Sequence, residues 1–222
     1  VLTMRRHPSN RNLSIYNGET FEGLPIMANK GPFIYEHLAK LKLTMERALG
    51  EYPRVFAFRC DLHFPVNAQL SDQDYSNVVI GDFMESFKSQ IESNRNAASQ
   101  LNPYSHVSEV RYVWAREQGQ GSYMHHYHLL ILLNQDAFYT IGRLGSENAN
   151  MFHRLEQAWA YALRLSVTAV QGLVHVPDNA EYRVQRNDPA GQVALFHRAS
   201  YLCKTATKPF GNGYHVFDCS RN

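Results

Sequence analysis

The stretch Glu117-Gln-Gly-Gln-Gly-Ser-Tyr-Met-His-His-Tyr-His128-Leu-Leu-Ile-Leu-Leu133 decides how this chain is read. It sets a carboxylate, a glycine-rich turn and a His-x-His pair ahead of an apolar run. Residues two apart on a β-strand point to the same face, so His126 and His128 project together while Tyr127 points the other way. The apolar stretch Val110-Arg-Tyr-Val-Trp-Ala-Arg116 ends at Glu117. If the two runs pair as a hairpin, the acid reaches both imidazoles. Two nitrogens and one oxygen on one sheet face suit a divalent metal with open positions for substrate.

A His-x-His pair alone is equally what two ordinary histidines on a sheet face would give. The upstream Glu117, the glycine turn and a Tyr-x-x-Lys further on favour the metal site. His125 faces away from the pair and is read as structural or DNA-facing rather than as a ligand.

The rest of the chain bounds the setting. With 222 residues and 44% hydrophobic content, it has enough apolar material for one globular domain and an added lobe. A net charge of +2 means that any nucleic-acid binding comes from local patches. No apolar run reaches the roughly 18 residues of a membrane span. The first residues lack the apolar core of a signal peptide. Cys60, Cys203 and Cys219 form no Cys-x-x-Cys, so reduced thiols in a cytoplasm are expected.

Residues 1–32 are polar and weakly periodic, an expected arm or extended lead-in to a domain over 33–222. Apolar spacing predicts a helix over 34–49, a strand over 54–64, and a helix from Ser76 to about Ala97. Strands follow over 108–117 and 127–133, then a helix from Glu147 to about Ser166 and a short strand over 173–176. A last helix is expected from Gln192 to about Thr205, and an edge strand over 214–217. The order predicts an α+β fold: a central antiparallel β-sheet with helices packed on one side of it.

In the last helix, His197, Tyr201, Lys204 and Lys208 fall at spacings of three and four and would share one face. A phenol is a weak nucleophile at neutral pH, and a neighbouring ammonium favours its phenolate. Lys can also neutralise charge on a phosphate in the transition state. On its own the pattern better suits a solvated Lys-bearing face with an amphipathic Tyr at its rim.

Together these segments resemble the HUH endonucleases, in particular the rolling-circle replication initiators. The strand Phe56-Ala-Phe-Arg-Cys-Asp-Leu-His-Phe64 resembles that family's first motif. Glu117 with His126-Tyr-His128 resembles the second, and Tyr201-Leu-Cys-Lys204 the third. The texture looks most like the inovirus and prophage replication proteins of the YagK/YfjJ type. Tyr127 departs from the usual bulky aliphatic between the histidines, and a single tyrosine occupies the third motif. The likeness runs from about residue 50 to 217 and implies an HUH/RRM-like, ferredoxin-like core.

The resemblance implies metal-dependent nicking of single-stranded DNA at a replication origin. Glu117, His126 and His128 would hold Mg²⁺ or Mn²⁺, although two imidazoles suit Zn²⁺ or Co²⁺ equally. Tyr201 would attack the phosphate and Lys204 assist, with Lys208 a weaker second. Arg116, His197, Arg198 and Lys208 are the expected DNA contacts, with Arg111, Tyr112, Arg183 and Arg186 as further candidates. No phosphate-binding Gly-x-x-x-x-Gly-Lys motif occurs, so a separate host helicase would unwind the duplex. The setting implied is the cytoplasm of a bacterial cell carrying a phage, prophage or plasmid, with no membrane partner. A single-tyrosine HUH transposase, a non-catalytic origin-binding protein and a zinc hydrolase that makes no use of Tyr201 remain open at this point.

Overall fold

The computed structural model describes residues 5–66, 76–119, 124–143 and 149–221. Short strands β1 (Arg6–His7), β2 (Asn10–Tyr16), β3 (Thr20–Phe21), β4 (Leu24–Pro25) and β5 (Phe33–Ile34) precede helix α1 (Tyr35–Glu51). Then come β6 (Arg54–Leu62), α2 (Val78–Leu101), β7 (Arg111–Gln118), β8 (His125–Asn134) and α3 (Met151–Leu163). The chain closes with β9 (Val174–His175), β10 (Glu181–Gln185), α4 (Pro189–Ala199) and β11 (Phe217–Cys219).

The main sheet runs β10-β6-β8-β7-β11, with β9 also pairing β6. Every pairing in it is antiparallel. Taking β6, β7, β8 and β10 as the four strands of a βαββαβ unit, the first and third are central. The second and fourth flank them, a ferredoxin-like order in which β8 is central, as expected of the histidine strand, with β6 rather than the Glu117 strand β7 as its central neighbour. The fold is α+β, as the element order predicted.

The strands β6 and β8 explain where the helices sit. Both are apolar at odd and even positions, Val55-Phe56-Ala57-Phe58 and Leu129-Leu130-Ile131-Leu132-Leu133, so both faces of the sheet require cover. On one face Phe56, Phe58, Leu129 and Ile131 pack with α2 (Phe83, Phe87) and α3 (Leu155, Trp159). On the other, Val55, Ala57, Leu130 and Leu132 pack with α1 (Leu38, Leu41) and α4 (Leu195, Phe196). Burying each such side chain stabilises the fold by about 1.5–3 kcal/mol. The expectation of helices on one side is therefore corrected: they cover both. Among the described residues no helix is long and apolar enough to cross a membrane.

The N-terminal lead-in forms strands, with β1, β2 and β5 making a small sheet of their own. Phe21 and Ile26 from this segment, and Phe33 just after it, are buried in the α1/α4 core.

The other departures are local. Strand β10 was not foreseen; among Glu181-Tyr-Arg-Val-Gln185 only Val184 is buried, so apolar alternation is weak. The expected edge strand at 214–217 forms further on, at β11. The expected helix start at Glu147 lies outside the described residues, and α3 is described from Met151. The last helix starts earlier and stops earlier than its spacing suggested. Asp188 caps it by accepting from Gly191 N, and Pro189 occupies its first turn, where no N–H is needed. After Ala199 the chain tightens into a 3-10 turn, Ser200–Cys203. There Ser200 Oγ donates to the His197 carbonyl and accepts from Met27 N. Lys204 is already outside the helix and bridges to Phe33.

Candidate functional site

The hairpin register puts Glu117 directly across from His126, and Ala115 across from His128. On the other side of β8, Asp61 lies across from His128. All these residues fall on the α1/α4 face. Along three strands this face changes from apolar to polar in the same direction: Val55, Ala57, Arg59, Asp61; Leu132, Leu130, His128, His126; Val113, Ala115, Glu117. The site is the polar end of an otherwise apolar surface.

Ligand atoms of Glu117, His126 and His128 lie within 4.8 Å of one another. His126 Nε2 and His128 Nε2 are 3.1 Å apart, and His128 Nε2 is 3.4 Å from Glu117 Oε2. Two ligands each about 2.1 Å from one ion sit about 3.0 Å apart at octahedral angles and about 3.4 Å apart at tetrahedral ones. The spacing therefore suits one small cation.

The protons point the same way. His128 Nδ1 is 2.6 Å from Asp61 Oδ1, so Nδ1 carries the proton and donates to the carboxylate. That leaves Nε2 turned toward Glu117 and His126. Three electron-rich atoms facing one another need a cation or a proton between them. The donor set fits a divalent ion, and Asp61 supplies the carboxylate–imidazole contact that commonly orients a metal-bound histidine.

Charge at the site is tightly balanced. Glu117 is 1% exposed, which by itself would favour its neutral form. Burial works to raise its pKa, but the His128 contact and the Lys208 and Lys204 ammonium groups outweigh it and hold the carboxyl far below its usual range. Lys204 Nζ lies 2.8 Å from Oε2 and Lys208 Nζ 3.1 Å from Oε1, while Thr207 Oγ1 donates to Oε2 at 2.8 Å. Burial and the neighbouring His128 and His63 pull the His126 pKa down to about 4. Burial also acts to lower that of His128, but the Asp61 and Glu117 contacts prevail and raise it. Asp61 is held low, its burial outweighed by His128 and Arg59.

Tyr201 stands over this cluster. Its ring is 5.5 Å from that of His128, edge-on at 83°. The Lys204 ammonium is 3.6 Å from the ring centroid and the Arg59 guanidinium 5.3 Å. Thus the expected metal ligands, Tyr201 and Lys204 come together. They do so without the expected helical face, because Tyr201 sits in the 3-10 turn and Lys204 in extended chain.

The expected DNA contacts scatter. Lys208 is a correction: its side chain is fully buried on Glu117, where it serves as a counterion and cannot reach a solvent-borne strand. Arg116 is buried on the opposite face, beside His125 and 5.2 Å from the Tyr214 ring. His125 itself packs between Phe64 and Tyr127. His197 is exposed on α4, and Arg198 donates to the Asp178 carbonyl. Arg111 pairs with Glu51, Arg183 with Glu181, Arg186 holds the carbonyls of Leu49 and Gly50, and Tyr112 lies under Lys88. Residues 120–123 of the glycine turn lie outside the described residues.

The sequence reading passed over four side chains that belong here. Arg59 and Asp61 share a face by strand alternation, and His63, the residue after β6, stacks on His126 with ring centroids 5.2 Å apart. His175 on β9 approaches Asp61 Oδ2 at 3.8 Å. The available signal was the two-residue period of β6, which acquires meaning only once β6 is paired with β8.

A family model described as the YagK/YfjJ C-terminal domain matches residues 16–220. The chain is 31% identical over 199 residues to the uncharacterized protein YagK of Escherichia coli (strain K12), covering 86% of this chain and 95% of that protein. It is 28% identical over 192 residues to the uncharacterized protein YfjJ of the same strain, covering 82% and 92%. No solved structure matches.

Proposed function

The chain belongs to the YagK/YfjJ C-terminal domain family, and from that premise we propose that it is an HUH-type nickase that initiates rolling-circle replication. The observation that carries this reading is the meeting of three ligand atoms within 4.8 Å with a tyrosine ring 5.5 Å from one of the imidazoles. Such a constellation supplies a cation site and a nucleophile for one phosphodiester.

Glu117, His126 and His128 would hold Mg²⁺ or Mn²⁺, which when bound supplies Lewis acidity to a non-bridging phosphate oxygen. Tyr201 Oη attacks phosphorus and loses its proton to water. The bond from phosphorus to O3′ breaks, and the leaving oxygen takes up a proton to become a free 3′-OH. The product is a 5′-phosphotyrosine that retains the phosphodiester energy, so a later 3′-OH can reverse the attack and rejoin the strand. Lys204, with Nζ 3.6 Å from the Tyr201 ring centroid, would offset charge as it develops on the phenol and the phosphate. The free 3′-OH would prime synthesis, with a separate helicase opening the duplex in the cytoplasm of the bacterial cell.

The test mixes wild type or Tyr201→Phe with Mn²⁺ and circular single-stranded DNA of the replicon that carries the gene, followed by a denaturing gel. A slow-migrating covalent adduct formed by wild type alone is the expected result. Cleavage without an adduct would indicate a metal hydrolase instead. Binding without cleavage would indicate an origin-binding protein. Rejoining of excised element ends, rather than of a circular origin, would indicate a transposase.

A further inference from the structure

Arg59 is a buried cation to which the proposed reaction gives no role. It is 4% exposed on β6, among side chains that are otherwise apolar or engaged at the site. Burying an ion carries an effective cost of several kcal/mol unless its partners are well placed. Its Nη2 donates to Asp61 Oδ1 at 3.1 Å. The same Nη2 is 3.3 Å from His128 Nδ1, but that nitrogen already carries the proton given to Asp61, so this approach is contact and not a hydrogen bond. The guanidinium also lies 5.3 Å from the Tyr201 ring centroid, and its Nε has no hydrogen-bond partner among the described residues. One planar group therefore bonds to the carboxylate that holds the His128 ring and lies over the Tyr201 ring, 5.3 Å from its centroid.

We infer that Arg59 is a positioning residue that couples the two halves of the site. Through Asp61 it holds the His128 ring with Nε2 turned toward Glu117 and His126. Through its planar guanidinium it supports the Tyr201 ring beside that imidazole. The inference rests on the nickase reading and deepens it. The two partners separate by chemistry. Asp61 meets the metal ligand directly and reaches Tyr201 only through Arg59, so its loss shows first in metal affinity. Arg59 acts also on the nucleophile, and metal cannot restore that. A lysine at position 59 would keep the charge for Asp61 but lack the planar surface under Tyr201.

The test uses the full chain and the variants Asp61→Ala, Arg59→Gln and Arg59→Lys, each checked by thermal melting. Mn²⁺ affinity is measured by calorimetry, and the rate of adduct formation on the replicon DNA in a single turnover at saturating Mn²⁺. Asp61→Ala is expected to weaken Mn²⁺ binding by about 10- to 100-fold. Arg59→Gln is expected to weaken Mn²⁺ binding and, at saturation, still to form adduct at least about 10-fold more slowly, as a displaced nucleophile should. Arg59→Lys is expected to bind Mn²⁺ as wild type does yet show the same slow rate. If Arg59→Gln does not fold, Arg59→Lys carries the test alone. Wild-type rates at saturation in the Arg59 variants overturn the link to Tyr201. Unchanged Mn²⁺ affinity in Asp61→Ala overturns the link to His128. A wild-type protein that neither binds Mn²⁺ nor forms adduct overturns the nickase reading and this inference with it.

Discussion

Lys204 Nζ lies 2.8 Å from Glu117 Oε2, the same oxygen that faces His128 Nε2 at 3.4 Å. That oxygen also accepts from Thr207. A cation entering between Glu117 and the imidazoles would meet an ammonium already seated on the carboxylate of that cluster. Lys208 occupies the other oxygen and need not move.

Lys204→Met should therefore change metal binding and chemistry in opposite directions. Removing the competing charge should tighten Mn²⁺ binding by about tenfold, or 1.4 kcal/mol, while adduct formation slows for want of the ammonium beside Tyr201. Calorimetry and a single-turnover gel measure the two. If metal affinity fell instead, Lys204 would be an organiser of the site and not its occupant.

Glu117 neutralises two buried ammonium groups, so its loss should cost more than a ligand. Glu117→Gln leaves Lys204 and Lys208 facing each other without a counter-charge, which should destabilise the fold by about 3–5 kcal/mol. Urea unfolding of the metal-free protein at neutral pH measures this. A change under about 1 kcal/mol would mean that water reaches the pair.

His37 provides a pH test away from the Glu117–His126–His128 cluster. Its ring stacks on Phe217, with centroids 4.1 Å apart and planes at 6°, and its Nδ1 has no hydrogen-bond partner among the described residues. Burial, with Lys208 and Lys40 nearby, holds its pKa well below the usual histidine value. The unfolded chain then binds the proton more readily than the folded one, so stability falls as pH drops below about 6.5, by up to about 1.4 kcal/mol per pH unit. His37→Phe should flatten the slope between pH 6.5 and pH 5 (roughly the range over which an unfolded histidine takes up its proton). Identical slopes in urea unfolding would show that His37 titrates normally.

Ser200 joins the turn that carries Tyr201 to the N-terminal segment, accepting from Met27 N and donating to the His197 carbonyl. Ser200→Ala should lose about 1–3 kcal/mol, since Met27 N is left without its partner. Adduct formation should slow as well, because the turn that holds Tyr201 loses its anchor. Unfolding and single-turnover rates check the two together; lost stability with an unchanged rate would separate the anchor from the site.

Much of the centre was legible in the chain itself. Alternation along a strand follows from backbone geometry alone, so His126 and His128 had to share a face and Tyr127 had to oppose them. Short-range pairing across the turn then brought Glu117 opposite His126. The long helices α1 and α2 were legible for the same reason, since their periods are local.

What was not legible depended on partners distant in sequence. Arg59 and Asp61 read as part of a strand until β6 paired with β8, some 67 residues away at the Asp61–His128 contact. The turn that ends α4 is tied to Met27, whose backbone N–H donates to the Ser200 hydroxyl oxygen across 173 residues. Lys208 looked like a surface charge because lysine is ordinarily exposed. It is buried because Glu117, 91 residues earlier, waits for it in the folded chain. Local geometry determined which way the side chains point; only tertiary structure decided which charges they meet, because burial of an ion depends on a counter-charge that the fold alone brings near.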